Sequence, residues 1–205
     1  MKATMKVLAS TGLFFILACS KDDDNKIKIQ PHDDNQMMAI MHQMMSEMMA
    51  VQPSNDPDND FATMMRLHHQ GAIDMSKLEL QSGNDAAMKE LAEMIITAQE
   101  EEIAQLTSFL SAHPAHASVP EFSVQQMMNM ERGGRNADLQ IINGDTDEDF
   151  ATLMIGHHTA AIENSRLQLI YGHEPGMKAM ATEIIASQEI EIKQLQDWLL
   201  ANRSK

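Results

Sequence analysis

Cysteine is nearly absent. Cys19 is the only one in 205 residues, and it lies near the N-terminus, so the rest of the chain has neither a disulfide nor a thiolate ligand. Basic residues are scarce, 15 against 30 acidic, and the formal net charge of −15 repels phosphate backbones and argues against nucleic-acid binding. The same charge draws cations to the surface. Aromatic residues make up only 4% of the chain. No Glu stands three residues before any of the nine His, so the Glu-x-x-His motif of di-iron bundle enzymes is missing. No Ser/His/Asp or Cys/His nucleophile pattern stands out. These absences weigh against an enzyme, a di-iron oxidase or peroxidase included. Long apolar runs are missing too. Residues 7–18 form an apolar run too short for a comfortable membrane span.

That run sits in an N-terminal stretch patterned as an export signal. Lys2 and Lys6 give it a positive start, and Leu17-Ala18-Cys19 resembles a lipobox, in which Cys19 becomes the lipidated first residue. Residues 1–19 are therefore expected to be a lipoprotein signal, and residues 20–35 a disordered acidic linker. Ser20 after the Cys argues, by resemblance to bacterial lipoproteins, against inner-membrane retention. Ser20-Lys-Asp-Asp-Asp24 resembles a surface-export signal, and a solvated tether explains the same residues equally well. The expected location is the outer membrane, facing the periplasm or the cell surface.

What the chain does have, it has twice. Phe61-Ala-Thr-Met-Met-Arg-Leu-His-His-Gln-Gly-Ala-Ile73 returns within Asp149-Phe-Ala-Thr-Leu-Met-Ile-Gly-His-His-Thr-Ala-Ala-Ile162, at an offset of 89 residues that holds without a gap from Asp60/Asp149 to Leu110/Leu199. About half of the aligned positions are identical, far above chance for an internal comparison. Apolar residues recur at helical spacing over residues 61–80 and 88–110. Between these runs Gly83, and Gly172 in the second copy, suit a helix end that needs positive φ. Asn84 or Asp85 then caps the next helix, Asp56 or Asp58 the first, and Asp145 or Thr146 its repeat; Pro175 suits a first turn. Each copy reads as an antiparallel helical hairpin. A lone hairpin buries too little to be stable, so the two are expected to pack into a four-helix bundle.

Counting from the turn brings polar side chains to one level. His69 lies 14 residues before Gly83, while Gln99 and Glu102 lie 16 and 19 after it. At about 1.5 Å per residue these heights nearly match. The second copy places His158, Gln188 and Glu191 in the same way, and Met65 and Met154 share a face with part of each His pair. Adjacent His residues point about 100° apart, so one is expected within its hairpin and the other between hairpins. Two readings stand here. In one, His–Glu pairs only set helix register; in the other, Met65, His68, His69, Met154, His157 and His158 bind a metal, with Glu102 and Glu191 beside or among the ligands.

Residues 37–51 carry the most unusual composition. Helical spacing sorts the methionines into two stripes, Met37/Met41/Met44/Met48 and Met38/His42/Met45/Met49. Met is a good filler of irregular cores and of adaptable binding surfaces. Here, however, Leu and Phe are absent and Ile40 is the only Ile, whereas a plain packing helix would use them. Thioethers are soft donors that suit Cu(I). Met38, Met41, His42, Met45 and Met49 are therefore candidate ligands, and the same surface is a candidate dock for a protein partner. Residues 36–111 form the first repeat with this lead-in helix, 112–121 a linker, and 122–203 the second repeat. The linker holds His113 and His116, which read as solvated. In the second lead-in segment Glu131 replaces His42, and Gly133-Gly134 is expected to interrupt any helix.

Asp-Phe-x-x-x-Met-x-x-His-His-x-x-Ala-Ile followed by Ile-Ile-x-x-Gln-x-x-Glu-Ile-x-x-Leu resembles the bacterial "domain of unknown function 305" family, over both repeats. The resemblance implies an all-α, ferritin-like four-helix bundle with Met-rich accessory helices, often exported, and in some members linked to copper binding and tolerance. The family often has a Met after the His pair; this chain has Met75 in the first copy and Asn164 in the second. The expectation is an envelope-anchored protein that sequesters or carries copper ions, Cu(I) or Cu(II). The alternative is a structural or partner-binding bundle without metal.

Overall fold

Both repeats fold into the hairpins that their periodicity requires. The computed structural model describes residues 28–202; the expected signal segment, Cys19 and residues 20–27 lie outside them. After a short 3-10 helix, His32–Asp34, come α1 (Gln36–Met49), α2 (Pro57–Ser82), α3 (Ala86–Ala112), α4 (Pro120–Asp138), α5 (Thr146–Tyr171) and α6 (Pro175–Asn202). The described residues are all-helical, with no strand and no helix long and apolar enough to cross a membrane.

The start signals are carboxylates. Asp56 caps α2 by accepting from the N–H groups of Asp58 and Asn59, Asp85 caps α3 at Ala87 and Met88, and Asp145 caps α5 at Glu148. Proline opens α2, α4 and α6, where its missing N–H costs nothing.

The turn glycines serve a different purpose from the one expected. Gly83 and Gly172 have φ of −68° and −62°, so no positive φ is needed. A Cβ on either would approach the carbonyl oxygen four residues back, Glu79 O or Gln168 O, at 2.7 Å. Glycine is required there by close approach.

Helix α2 packs on α3 and α5 on α6, with α2 and α5 facing each other between the hairpins. Two apolar clusters fill the interior. One contains Met88, Leu91, Ile95, Phe150 and Leu195; the other contains Phe61, Leu106, Phe122, Met180 and Ile184. Helices α1 and α4 lie over the α2–α5 pair, α1 mainly on α2 and α4 mainly on α5, and they touch each other. The Met face of α1, a candidate dock for another protein, is turned inward instead: Met37, Met38, Met41, Met44 and Met48 are all buried.

Two further expectations are corrected. Gly133-Gly134 does not break α4, which runs through both. Close packing outweighs their poor propensity: a Cβ on Gly133 would meet Ala160 Cβ at 3.3 Å, and one on Gly134 would meet Met45 Cε at 3.1 Å. Residues 28–35, assigned to the disordered linker, are ordered against the second repeat. Gln30 N–H donates to Ile142 O at 2.7 Å, and Asn35 Nδ2 donates to Asp149 Oδ2 at 2.7 Å.

The hairpins also cap each other crosswise. Asp58, in the first turn of α2, accepts from His173 N at 2.9 Å and Glu174 N at 3.2 Å, just ahead of α6. Its repeat partner Asp147, in the first turn of α5, accepts from Asn84 N at 3.0 Å and Asp85 N at 2.9 Å, just ahead of α3. Helices α2 and α5 therefore run antiparallel, each starting where the other ends.

Candidate metal centre

The His pairs sit midway along α2 and α5, and the 100° step between neighbours sends their rings in different directions. His69 Nε2 lies 2.8 Å from Glu102 Oε2 on α3, and His158 Nε2 lies 2.7 Å from Glu191 Oε2 on α6. These two imidazoles stay within their hairpins and are wholly buried. His68 and His157 instead meet between the hairpins, with ring centroids 3.6 Å apart at a tilt of 33°. His157 Nε2 donates to His68 O at 3.0 Å. A carbonyl can only accept, so the proton is on Nε2 and the Nδ1 of His157 carries a lone pair.

That lone pair has no protein partner. The Nδ1 atoms of His68, His69, His157 and His158 are all buried without a hydrogen bond among the described residues. Such atoms are costly to bury and call for an explanation. Burial, followed by the charges of the neighbouring imidazoles (His69 and His158 for His68, and His68 first for His157), holds both central rings well below the usual His range. Both are neutral near pH 7, the form that ligates metal.

Over this pair lies a small pocket of about 10 Å³. It is lined by His68 and His157, by Met41, Met44, Met45 and Met48 of α1, by Met130, Gly133 and Gly134 of α4, and by Gly156 and Ala160 of α5. An adjoining pocket shares Met48, His68 and Met130 and adds Met64, Met65, Gln126 and Asn164. The lining is thioether and imidazole, a donor set for a soft monovalent ion. Among the described residues, no three His, Cys, Asp or Glu side chains converge on one point, so the thioethers are what extends the donor set beyond the imidazole pair. Imidazoles with unpartnered Nδ1 atoms and a thioether lining make a donor set that fits a copper ion.

The expected ligands other than the two His–Glu pairs divide into three groups. Met41, Met45, His68 and His157 line the central pocket, and Met65 lines its neighbour. Met38, Met75 and Met154 are fully buried in the apolar cluster, with no place in either lining. His42 and Met49 point away: His42 is half-exposed and pairs with Asp138 Oδ1 at 2.9 Å, and Met49 is 42% exposed. In the linker, His113 stacks on Phe109 with centroids 4.4 Å apart, while His116 is half-exposed. Sequence spacing assigned a site to each hairpin, yet the two central His residues meet in one. It also passed over Met44, Met48, Met64 and Met130. Met44 and Met48 share a helical stripe with the candidate Met41, and Met130 is the repeat counterpart of Met41, the one signal that pointed to it.

Comparison with known proteins agrees with the architecture. A structure titled CopM in the Cu(I)-bound form matches with a TM-score of 0.55 and 29% identity, covering 72% of this chain and 98% of that one. CopM in the Ag-bound form, obtained by soaking, gives 0.56 and 28% over 72% and 97%. A DUF305 protein from Streptomyces coelicolor gives 0.59 and 23% over 75% and 98%. No curated protein matches. The family described as Domain of unknown function (DUF305) matches over residues 17–110 and 58–199, and the chain belongs to it.

Proposed function

We propose that this is an envelope-anchored copper-binding protein that holds Cu(I) in the pocket over His68 and His157 and serves in copper sequestration or carriage. The observation that carries the reading is the pair of buried, neutral imidazoles with unpartnered Nδ1 atoms beneath a lining of thioethers. Met41, Met44, Met48 and Met130 supply sulfur donors, and the two Nδ1 atoms supply nitrogen. The structures of CopM with Cu(I), Cu(II) and Ag support the choice of metal. His69–Glu102 and His158–Glu191 lie within their own hairpins and outside the pocket lining, beside the two central imidazoles. Their positions also favour a register-setting role, so in this reading they serve structure first.

In this reading the protein binds its ion and does not act as an enzyme. The lipobox-like Leu17-Ala18-Cys19 supports attachment through lipidated Cys19, with the domain in the periplasm or at the cell surface.

Anaerobic competition for Cu(I) between the full-length protein in detergent and a colorimetric chelator tests the site. Met48→Leu/Met130→Leu keeps apolar volume and removes two sulfurs, a class of swap that costs less than about 1.5 kcal/mol in stability. Cu(I) affinity should fall at least tenfold. Unchanged affinity in this variant would refute the site.

A further inference from the structure

Three glycines surround the same pocket, and packing accounts for only two of them. Gly133, Gly134 and Gly156 all lie inside helices, where glycine costs stability relative to alanine. None has positive φ; Gly144 is the only glycine that does among the described residues. Ala160 and Met45 crowd Gly133 and Gly134, but a Cβ on Gly156 meets nothing within 4 Å. Gly156 is exposed, yet it lines the pocket whose floor is His68 and His157, exposed by 4% and 1%. At this point of α5 the missing side chain serves neither the turn nor the packing. What it leaves is open space beside the pocket lining.

We propose that Gly156, with Gly133 and Gly134 opposite, forms a portal through which a soft monovalent cation reaches the Met/His pocket. This rests on the copper-binding reading and adds the route and its selectivity. The mouth offers thioethers, with Met45 half-buried beside it, and no side-chain oxygen. A divalent ion that dehydrates reluctantly and wants oxygen ligands finds no replacement for its water there. A soft cation can exchange its ligands for sulfur one at a time. The unpartnered, buried Nδ1 atoms of the two imidazoles then draw it inward.

The test is the rate of metal exchange. The full-length protein in detergent and its Gly156→Leu variant are each mixed with Ag(I) or Cu(I) held by a competing chelator, and transfer is followed in both directions by stopped flow. The Cβ of a Leu here meets nothing within 4 Å and Leu favours the helix over Gly, so Gly156→Leu should raise the thermal midpoint. It should slow uptake and release together, tenfold or more, with equilibrium affinity unchanged. Gly156→Ala, which adds only the Cβ, should stay near the wild-type rate. Tight binding with wild-type rates in Gly156→Leu would overturn the portal alone. No binding by the wild type would overturn the metal reading and the portal with it.

Discussion

Glu79 and Gln168 occupy equivalent positions in the repeats, and both are wholly buried. Gln168 Nε2 donates to Asp58 Oδ1 at 2.5 Å. Glu79 faces Asp147, which stands where Asp58 does, and only a protonated Glu79 can donate as the amide does. Burial, then the hydrogen bond and charge of Asp147, push the Glu79 carboxyl up to about 8; Lys89 opposes the shift and Asp145 adds to it. Asp147 is held below the usual carboxylate range because the N–H groups of Asp85 and Asn84 and the hydrogen bond from Glu79 outweigh its own burial. Below 4.5 Glu79 is protonated in both states. From there to about 8 the unfolded chain loses the proton while the folded chain keeps it, so stability falls with rising pH and then levels off. In Glu79→Gln this contribution to the slope should vanish. Urea midpoints at a series of pH values will show it; parallel curves for the two proteins would contradict the assignment.

At the scale of the helix, the crosswise caps are the feature with the clearest energetic consequence. Removing the carboxylate of Asp58 leaves two backbone N–H groups ahead of α6 and the Gln168 amide without their partner. Asp58→Ala should cost about 2 kcal/mol, within the range for lost caps and buried polar groups. Hydrogen exchange should quicken first at the start of α6, far along the sequence from the substitution. A loss confined to α2 would mean that the cap matters only locally. Element identity was legible in advance because 3.6-residue periodicity and carboxylate caps are local signals. The continuation of α4 through Gly133-Gly134 was not legible, because what overrides propensity there is the approach of Met45 and Ala160 from other helices.

In the whole molecule, the two repeats are halves of one unit. Each supplies the cap for the other's second helix, one of the two central imidazoles, and part of the Met lining. Fragments 28–112 and 120–202 should each be largely unfolded alone and regain helix on mixing, as circular dichroism would report; independent folding of either would contradict this. Sequence spacing showed that Met, His, Gln and Glu reach one level. It could not show that His68 and His157 share a pocket, because the 89-residue offset relates the copies without saying how they are placed. For the same reason His42 looked like a ligand, although it faces Asp138 on the outside.

Copper K-edge X-ray absorption on the protein loaded with one equivalent of Cu(I) tests the central claim most directly. The account predicts a mixed shell of sulfur and nitrogen, with the sulfur contribution reduced in Met48→Leu/Met130→Leu and the imidazole signal retained. A shell of nitrogen and oxygen alone, unaltered by those substitutions, would contradict it.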